Sequence, residues 1–171
     1  MVRIQNREPS IESENRDYYD SGIPSKVAIA GHPLHPLLVT FPITFLVTAL
    51  GTDLGFWLTN DLFWARVSFW LIGAGLGTAV LAAIAGLVDF FRIGRVRKRK
   101  AGWFHLIGNV AVLIITVINF VLRWGNPTQA ALPTGLVLSI FVSTLLGITG
   151  WYGGELVYRH KIAVVGEGES K

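Results

Sequence analysis

Four long apolar stretches, at residues 37–58, 63–91, 103–124 and 132–158, decide what this chain can fold into. A helix rises 1.5 Å per residue, so about 20 residues cross a hydrocarbon core of about 30 Å. The first stretch has that length and is interrupted only by Pro42 and Asp53. The second is longer and has room to tilt. Lipid offers nothing to satisfy backbone polar groups, so single spans of this kind are helices. The expected fold class is all-α: a four-helix transmembrane bundle within 27–165. It is flanked by a polar N-terminal tail over 1–26, expected to be disordered, and a short tail over 166–171. Only 15% of the chain is charged against 51% hydrophobic, too little polar surface for a soluble domain, which carries about 25% charge.

Charge is segregated along the chain. Thirteen of the 15 Lys and Arg lie in the N-terminal tail, the 92–100 connection and the C-terminal tail, and the other side of the bundle holds only Arg66 and Arg123. Such runs mark cytoplasmic loops, so both termini and the basic connection are expected on the cytoplasmic side. This reading displaces nucleic-acid binding as the reason for the run. Residues 1–25 mix both signs and lack the basic-then-apolar layout of a secretory signal. Tryptophans 57, 64, 103, 124 and 151 fall near span ends, as in an interfacial belt. There is no cysteine, which excludes disulfides, thiolate metal sites, cysteine-held iron–sulfur clusters and covalent c-type haem.

Four spans bring separated polar residues beneath one leaflet. His32 and His35 precede the first span, Asp89 closes the second, His105 opens the third, and Glu155 and His160 close the fourth. The prolines at 33 and 36 favour extended geometry, and a polyproline turn of three residues would point His32 and His35 the same way. The expected metal-ligand set is therefore His32, His35, Asp89, His105, Glu155 and His160. For a larger cofactor it is His32, His35 and His105, with Asn109 one turn on as an orienting neighbour. On the plainer reading each residue is structural: the histidines cap span one, His105 makes an interhelical hydrogen bond, and Asp89 pairs with adjacent arginines. On the far side Asp53 is read as a structural ion pair with Arg66 or Arg123. Small-residue stripes are expected to pack between helices: Thr40, Thr44, Thr48 and Gly51 on span one, Ala79, Ala82, Ala83, Gly86 and Asp89 on span two, and Ser143, Gly147, Gly150 and Gly154 on span four. Gly73-x-Gly75-x-Gly77 is helix packing, because no strand precedes it.

The motifs Gly-His-Pro-Leu-His-Pro-Leu-Leu-Val-Thr-Phe-Pro at 31–42, Gly-Leu-Val-Asp at 86–89, His-x-x-x-Asn at 105–109 and Gly-Trp-Tyr-Gly-Gly-Glu-Leu-Val-Tyr-Arg-His at 150–160 carry a resemblance. The chain resembles a domain-of-unknown-function family of small bacterial four-span membrane proteins over about 27–165. The resemblance implies the bacterial inner membrane. It also implies a redox setting, because some relatives are joined to Rieske-type iron–sulfur domains, and with it a Rieske-type membrane partner. It brings no agreed activity. Lys161 departs from the glycine expected after the histidine.

Three functions fit these residues. The first is a membrane redox module with one b-type haem between His105 and a histidine of the 32/35 pair, its propionates met by the basic loop. The second is a non-haem site for zinc, iron or manganese, catalytic or structural. The third is a cofactor-free scaffold or assembly subunit. Its partners would be the bilayer and, for a packing face, a second copy of the chain. Nothing indicates a nucleophile or a phosphate-binding loop.

Overall fold

The computed structural model describes residues 22–164. Of the expected N-terminal tail, 1–21 lie outside the described residues, as do 165–171. Residues 23–26 are held in place: Ile23 pairs with Ile162 in an isolated bridge, through Ile23 N to the Lys161 carbonyl and Ala163 N to the Ile23 carbonyl, both 2.8 Å. Both ends of the described chain therefore meet at one end of the bundle. Lys161 adopts φ of 52°, in the left-handed region that glycine enters without strain, which explains the glycine expected at this position.

The chain begins with a small antiparallel hairpin, β1 (Ala28–Ile29) and β2 (His32–Pro33), turned through Ala30 and Gly31 at φ 49° and 79°. Helix α1 (Leu34–Leu38) follows at once and runs through Val39 into α2 (Thr40–Thr59). Pro42 has no N–H for the Leu38 carbonyl, which loosens the backbone where the two helices join. Asn60, at φ 55°, ends α2, and Asp61 caps the next helix by accepting from Phe63 N at 2.9 Å. Helix α3 (Leu62–Arg92) has 31 residues, about 46 Å, and so overshoots the hydrocarbon core. The basic connection is folded: α4 (Gly94–Arg97) is anchored by Ile93 and Val96, 4% and 5% exposed. Helix α5 (Lys100–Leu122) returns across the membrane. A turn capped by Asn126 leads through α6 (Pro127–Ala130) and a π segment (Ala131–Gly135) into α7 (Leu136–Tyr158). Among the described residues, four helices are long and apolar enough to span a membrane, counting Leu34–Thr59 and Pro127–Tyr158 as continuous units.

The bundle is two helical hairpins, α2 on α3 and α5 on α7, packed together. Its burial pattern is that of a lipid-solvated protein. Trp57, Trp70, Trp124 and Trp151 are more than half exposed, as are many aliphatic side chains, while Asp53, Ser68, Thr116, Asn119, Arg123 and Ser139 are inside. Apolar clusters fill the core at three levels: Phe90, Ile93, Val96, Ala101, Leu156 and Ile162 near the chain ends, Leu46, Val112, Val142 and Leu146 midway, and Phe56, Ala65 and Ala131 beyond.

The structure corrects two of the expected packing stripes. Thr40, Thr44, Thr48 and Gly51 are all exposed, and the buried face of α2 is Pro42, Leu46, Ala49, Thr52, Asp53 and Phe56. Thr40 and Thr44 instead bond to the carbonyls of Leu37 and Thr40, both at 2.8 Å, so their hydroxyls need no neighbouring helix. Gly147 and Gly150 likewise face outward. The span-two stripe is inward, with Ala82 and Asp89 buried.

Candidate functional site

His35 and His105 come together. Their ring centroids are 6.0 Å apart and their planes are at 89°. Each ring reaches the site by the same device. His35, on α1, places Nδ1 2.8 Å from the Ala82 carbonyl of α3. His105, on α5, places Nδ1 2.9 Å from the Thr149 carbonyl of α7. A carbonyl inside a helix already accepts from the N–H four residues on. An outside donor gains access to it when the side chain at that position is small. Both positions are glycine. A Cβ at Gly86 would stand 2.8 Å from the His35 ring, and one at Gly153 would stand 2.9 Å from the His105 ring. Because a carbonyl only accepts, Nδ1 carries the proton in both rings, and in the neutral imidazole Nε2 keeps its lone pair. Asn109 supports this geometry: its Nδ2 donates to the His105 carbonyl at 2.7 Å and lies 3.4 Å from His105 Nδ1.

The other expected ligands are placed elsewhere. His32 does not point with His35, because no polyproline segment forms. Pro33 closes β2, α1 starts at Leu34, and His32 turns back to the Ala30 carbonyl at 2.9 Å in an exposed position. Asp89 accepts from Ser25 Oγ at 2.6 Å and from Lys26 N at 2.7 Å, so its contacts are with the N-terminal segment and not with the adjacent arginines. Glu155 lies 3.9 Å from His160 Nε2. Among the described residues, no group of three or more His, Asp or Glu is placed to hold a metal ion. The His160 pKa lies below the usual histidine value of 6.5. Burial is the largest cause, followed by the charge of Arg99, and Glu155 opposes them.

The opposite half of the bundle holds a second polar centre with a contribution from every span. Arg123 donates from Nη1 and Nη2 to the two oxygens of Asp53, both at 2.7 Å, and neither side chain is exposed. Arg123 also reaches Ser68 Oγ at 2.9 Å and Asn119 Oδ1 at 2.9 Å. Ser139 donates to Asp53 at 2.6 Å and accepts from Asn119 at 3.1 Å. Gly135 leaves the room, since a Cβ there would collide with the Arg123 guanidinium. The partner left open between Arg66 and Arg123 is thus Arg123, and Arg66 is exposed.

The two centres repeat across the hairpins. His35 and Asp53 are 18 positions apart, as are His105 and Arg123. Eighteen residues make five helical turns, which puts each pair on one face. The acceptor and glycine positions, 82 with 86 and 149 with 153, also repeat. Sequence reasoning missed Ser68, Asn119, Ser139, Gly135 and the roles of Gly86 and Gly153. The equal spacing was a signal for the Asp53–Arg123 pairing, while nothing in the sequence marked the serines, Asn119 or the glycines.

No curated protein and no solved structure matches the chain. Residues 31–166 match the family described as predicted membrane protein (DUF2231), and the chain, with its four membrane-spanning helices, belongs to that family.

Proposed function

We propose that this chain is a redox module of the bacterial inner membrane that holds one b-type haem between His35 and His105. The observation that carries the reading is the pair of imidazoles 6.0 Å apart, one from each hairpin, each with Nδ1 bonded to a backbone carbonyl. Two imidazoles this close, one from each hairpin, would be the residues to hold a metal-centred group. Fixing Nδ1 on an acceptor orients Nε2 as the ligand and raises its basicity. If bound, haem would be held by His35 and His105, the two imidazoles that converge here. A non-haem zinc, iron or manganese site asks for more, and Asp89 and Glu155 are engaged elsewhere. When bound, haem would supply one-electron chemistry.

The orientation belongs to the same proposal. The basic connection supports a cytoplasmic position for the histidine end by the positive-inside rule, where its cations would be available to propionates. A Rieske-type protein is the proposed electron partner. The second reading is a cofactor-free assembly subunit. It is supported by the polar centre around Asp53 and Arg123, in which all four spans are tied together.

The test is the absorption spectrum of detergent-purified protein with its metal content. The expected result is a reduced-state b-type band with one iron per chain, lost in both His35→Ala and His105→Ala and retained in His32→Ala and His160→Ala. No band and no metal, with both alanine variants folded, leaves the assembly reading. Metal without the band leaves the non-haem site.

A further inference from the structure

The outward side of α7 carries a groove that the histidine pair does not use. It is lined by Gly150, Trp151, Gly154, Glu155, Tyr158 and Arg159, with a volume of about 510 Å3, which is within the range of ligand sites. Its floor is bare backbone. Among the described residues, a Cβ at Gly150 would meet nothing within 4 Å, and one at Gly154 would meet only the Tyr158 ring, at 3.8 Å. Gly147 continues the open strip below, again with none of the described residues within 4 Å of a Cβ there. Positions 147, 150 and 154 share a helix face, so the strip runs roughly 10 Å along the span. Trp151 and Tyr158 stand over it, 75% and 80% exposed.

The end of the groove is cationic. Arg159 lines it, and Lys161 follows, exposed. Arg99 and Arg95, from the basic connection, come near enough to act with Arg159 on His160. Glu155 is the one acid among the described residues of the lining, and its carboxylate is within 3.9 Å of His160. An apolar trough with aromatic rims, opening at the interface beneath several cations, has the chemistry of an anionic lipid: a chain for the trough and a phosphate for the arginines.

We propose that this groove binds one anionic phospholipid of the surrounding bilayer, with its acyl chain over Gly150 and Gly154 and its headgroup phosphate at Arg159. A second copy of the chain fits less well. A helix with side chains is about 10–12 Å across, and the Trp151 and Tyr158 rings stand where it would need to lie flat on the glycines. The cations favour an anionic headgroup over a zwitterionic one.

Full-length protein in nanodiscs of equal phosphatidylglycerol and phosphatidylcholine, released into native mass spectrometry, tests the site. The expected result is a single retained phosphatidylglycerol, enriched over phosphatidylcholine on the order of five-fold. Arg159→Gln should abolish the enrichment, and Gly150→Leu with Gly154→Leu should abolish retention of either lipid. Arg66→Gln, at the other end of the bundle, should change neither. Should the glycine variants fail to fold, a photoactivatable phosphatidylglycerol on the wild type should label 150–159. Equal retention of both lipids, labelling spread over all four spans, or a dimer that the leucine variants convert to monomer would each overturn the proposal, the last by assigning the face to a second copy.

Discussion

Asp53 and Arg123 meet through two parallel hydrogen bonds of 2.7 Å in the interior of the bundle, and neither side chain has any exposed surface. Asp53 comes from the first hairpin and Arg123 from the second, so the pair ties the two halves together. Ser68 and Asn119 accept further hydrogen bonds from Arg123, and Ser139 donates to Asp53. A buried pair in which each nitrogen and oxygen has a hydrogen-bond partner differs from a surface pair, because losing one partner strands a charge in a medium that cannot solvate it. Asp53→Ala or Arg123→Ala alone should therefore cost about 3–5 kcal/mol. The double variant Asp53→Leu with Arg123→Met should cost less than either single change, because no charge is left behind. Thermal unfolding of the three variants in micelles checks both the size and the order. A double variant as unstable as the sum of the singles would contradict the stranded-charge account.

The glycine cradles make a sharper prediction, because the same substitution has opposite effects at different glycines. Gly86→Ala and Gly153→Ala place a methyl group 2.8 and 2.9 Å from the His35 and His105 rings. Each ring must shift off its carbonyl, at a cost of about 1–3 kcal/mol. Gly77→Ala meets nothing within 4 Å and should be neutral or stabilising by about 0.5–1 kcal/mol, through helix propensity alone. Melting temperatures order the three variants. Imidazole nitrogen shifts report the ring movement, since loss of the carbonyl contact lets His35 or His105 sample the other tautomer.

The spans were legible in the sequence because membrane solvation acts on segment averages, and length with apolarity is an average. The convergence of His35 and His105 was legible for the same reason, since an even number of spans returns the chain to one side. Facing was less legible. In water an apolar stripe marks the inside, but in lipid both faces are apolar, so Thr40, Thr44, Thr48 and Gly51 resembled a packing seam while the buried face was Pro42, Leu46, Ala49 and Asp53. The direction of His32 was lost to a local competition: the Ala30–Gly31 turn and the helix start at Leu34 defeat the polyproline geometry that two prolines suggest. Asp89 could not be assigned because its partners, Ser25 and the Lys26 amide, lie more than sixty residues away in a segment that reads as a polar tail.

Asp89 should govern whether that segment stays docked. Its carboxylate takes the Ser25 hydroxyl and the Lys26 N–H, and charged acceptors make the stronger hydrogen bonds, about 1.5–3 kcal/mol each. Beyond it, Ile23 adds the bridge to Lys161 and Ala163. Asp89→Ala should free residues 22–27 without unfolding the spans. Limited trypsin digestion reads this directly, because Lys26 is exposed but cleavage needs an undocked backbone. The rate of cutting after Lys26 should rise roughly ten-fold or more in the variant, with the melting temperature of the bundle nearly unchanged. Equal rates in the two proteins would mean that Ile23, and not Asp89, holds the segment.

His160 supplies the pH prediction. Burial, then the charge of Arg99, push its pKa below the ordinary 6.5, against the pull of Glu155. The folded chain thus takes up this proton less readily than the unfolded chain. Above the ordinary value both forms are neutral and the residue contributes nothing to pH dependence. As pH falls through the ordinary value the unfolded state protonates first, so stability declines, and the decline ends below the depressed folded-state pKa. His160→Gln should flatten the stability curve in that window. Arg99→Gln should move the His160 titration, followed by imidazole proton shifts, part of the way back toward the ordinary value, because burial remains. Glu155→Gln should move it further down. A titration unmoved by Arg99→Gln would remove Arg99 as a cause and leave burial with the charges of Arg159 and Arg95.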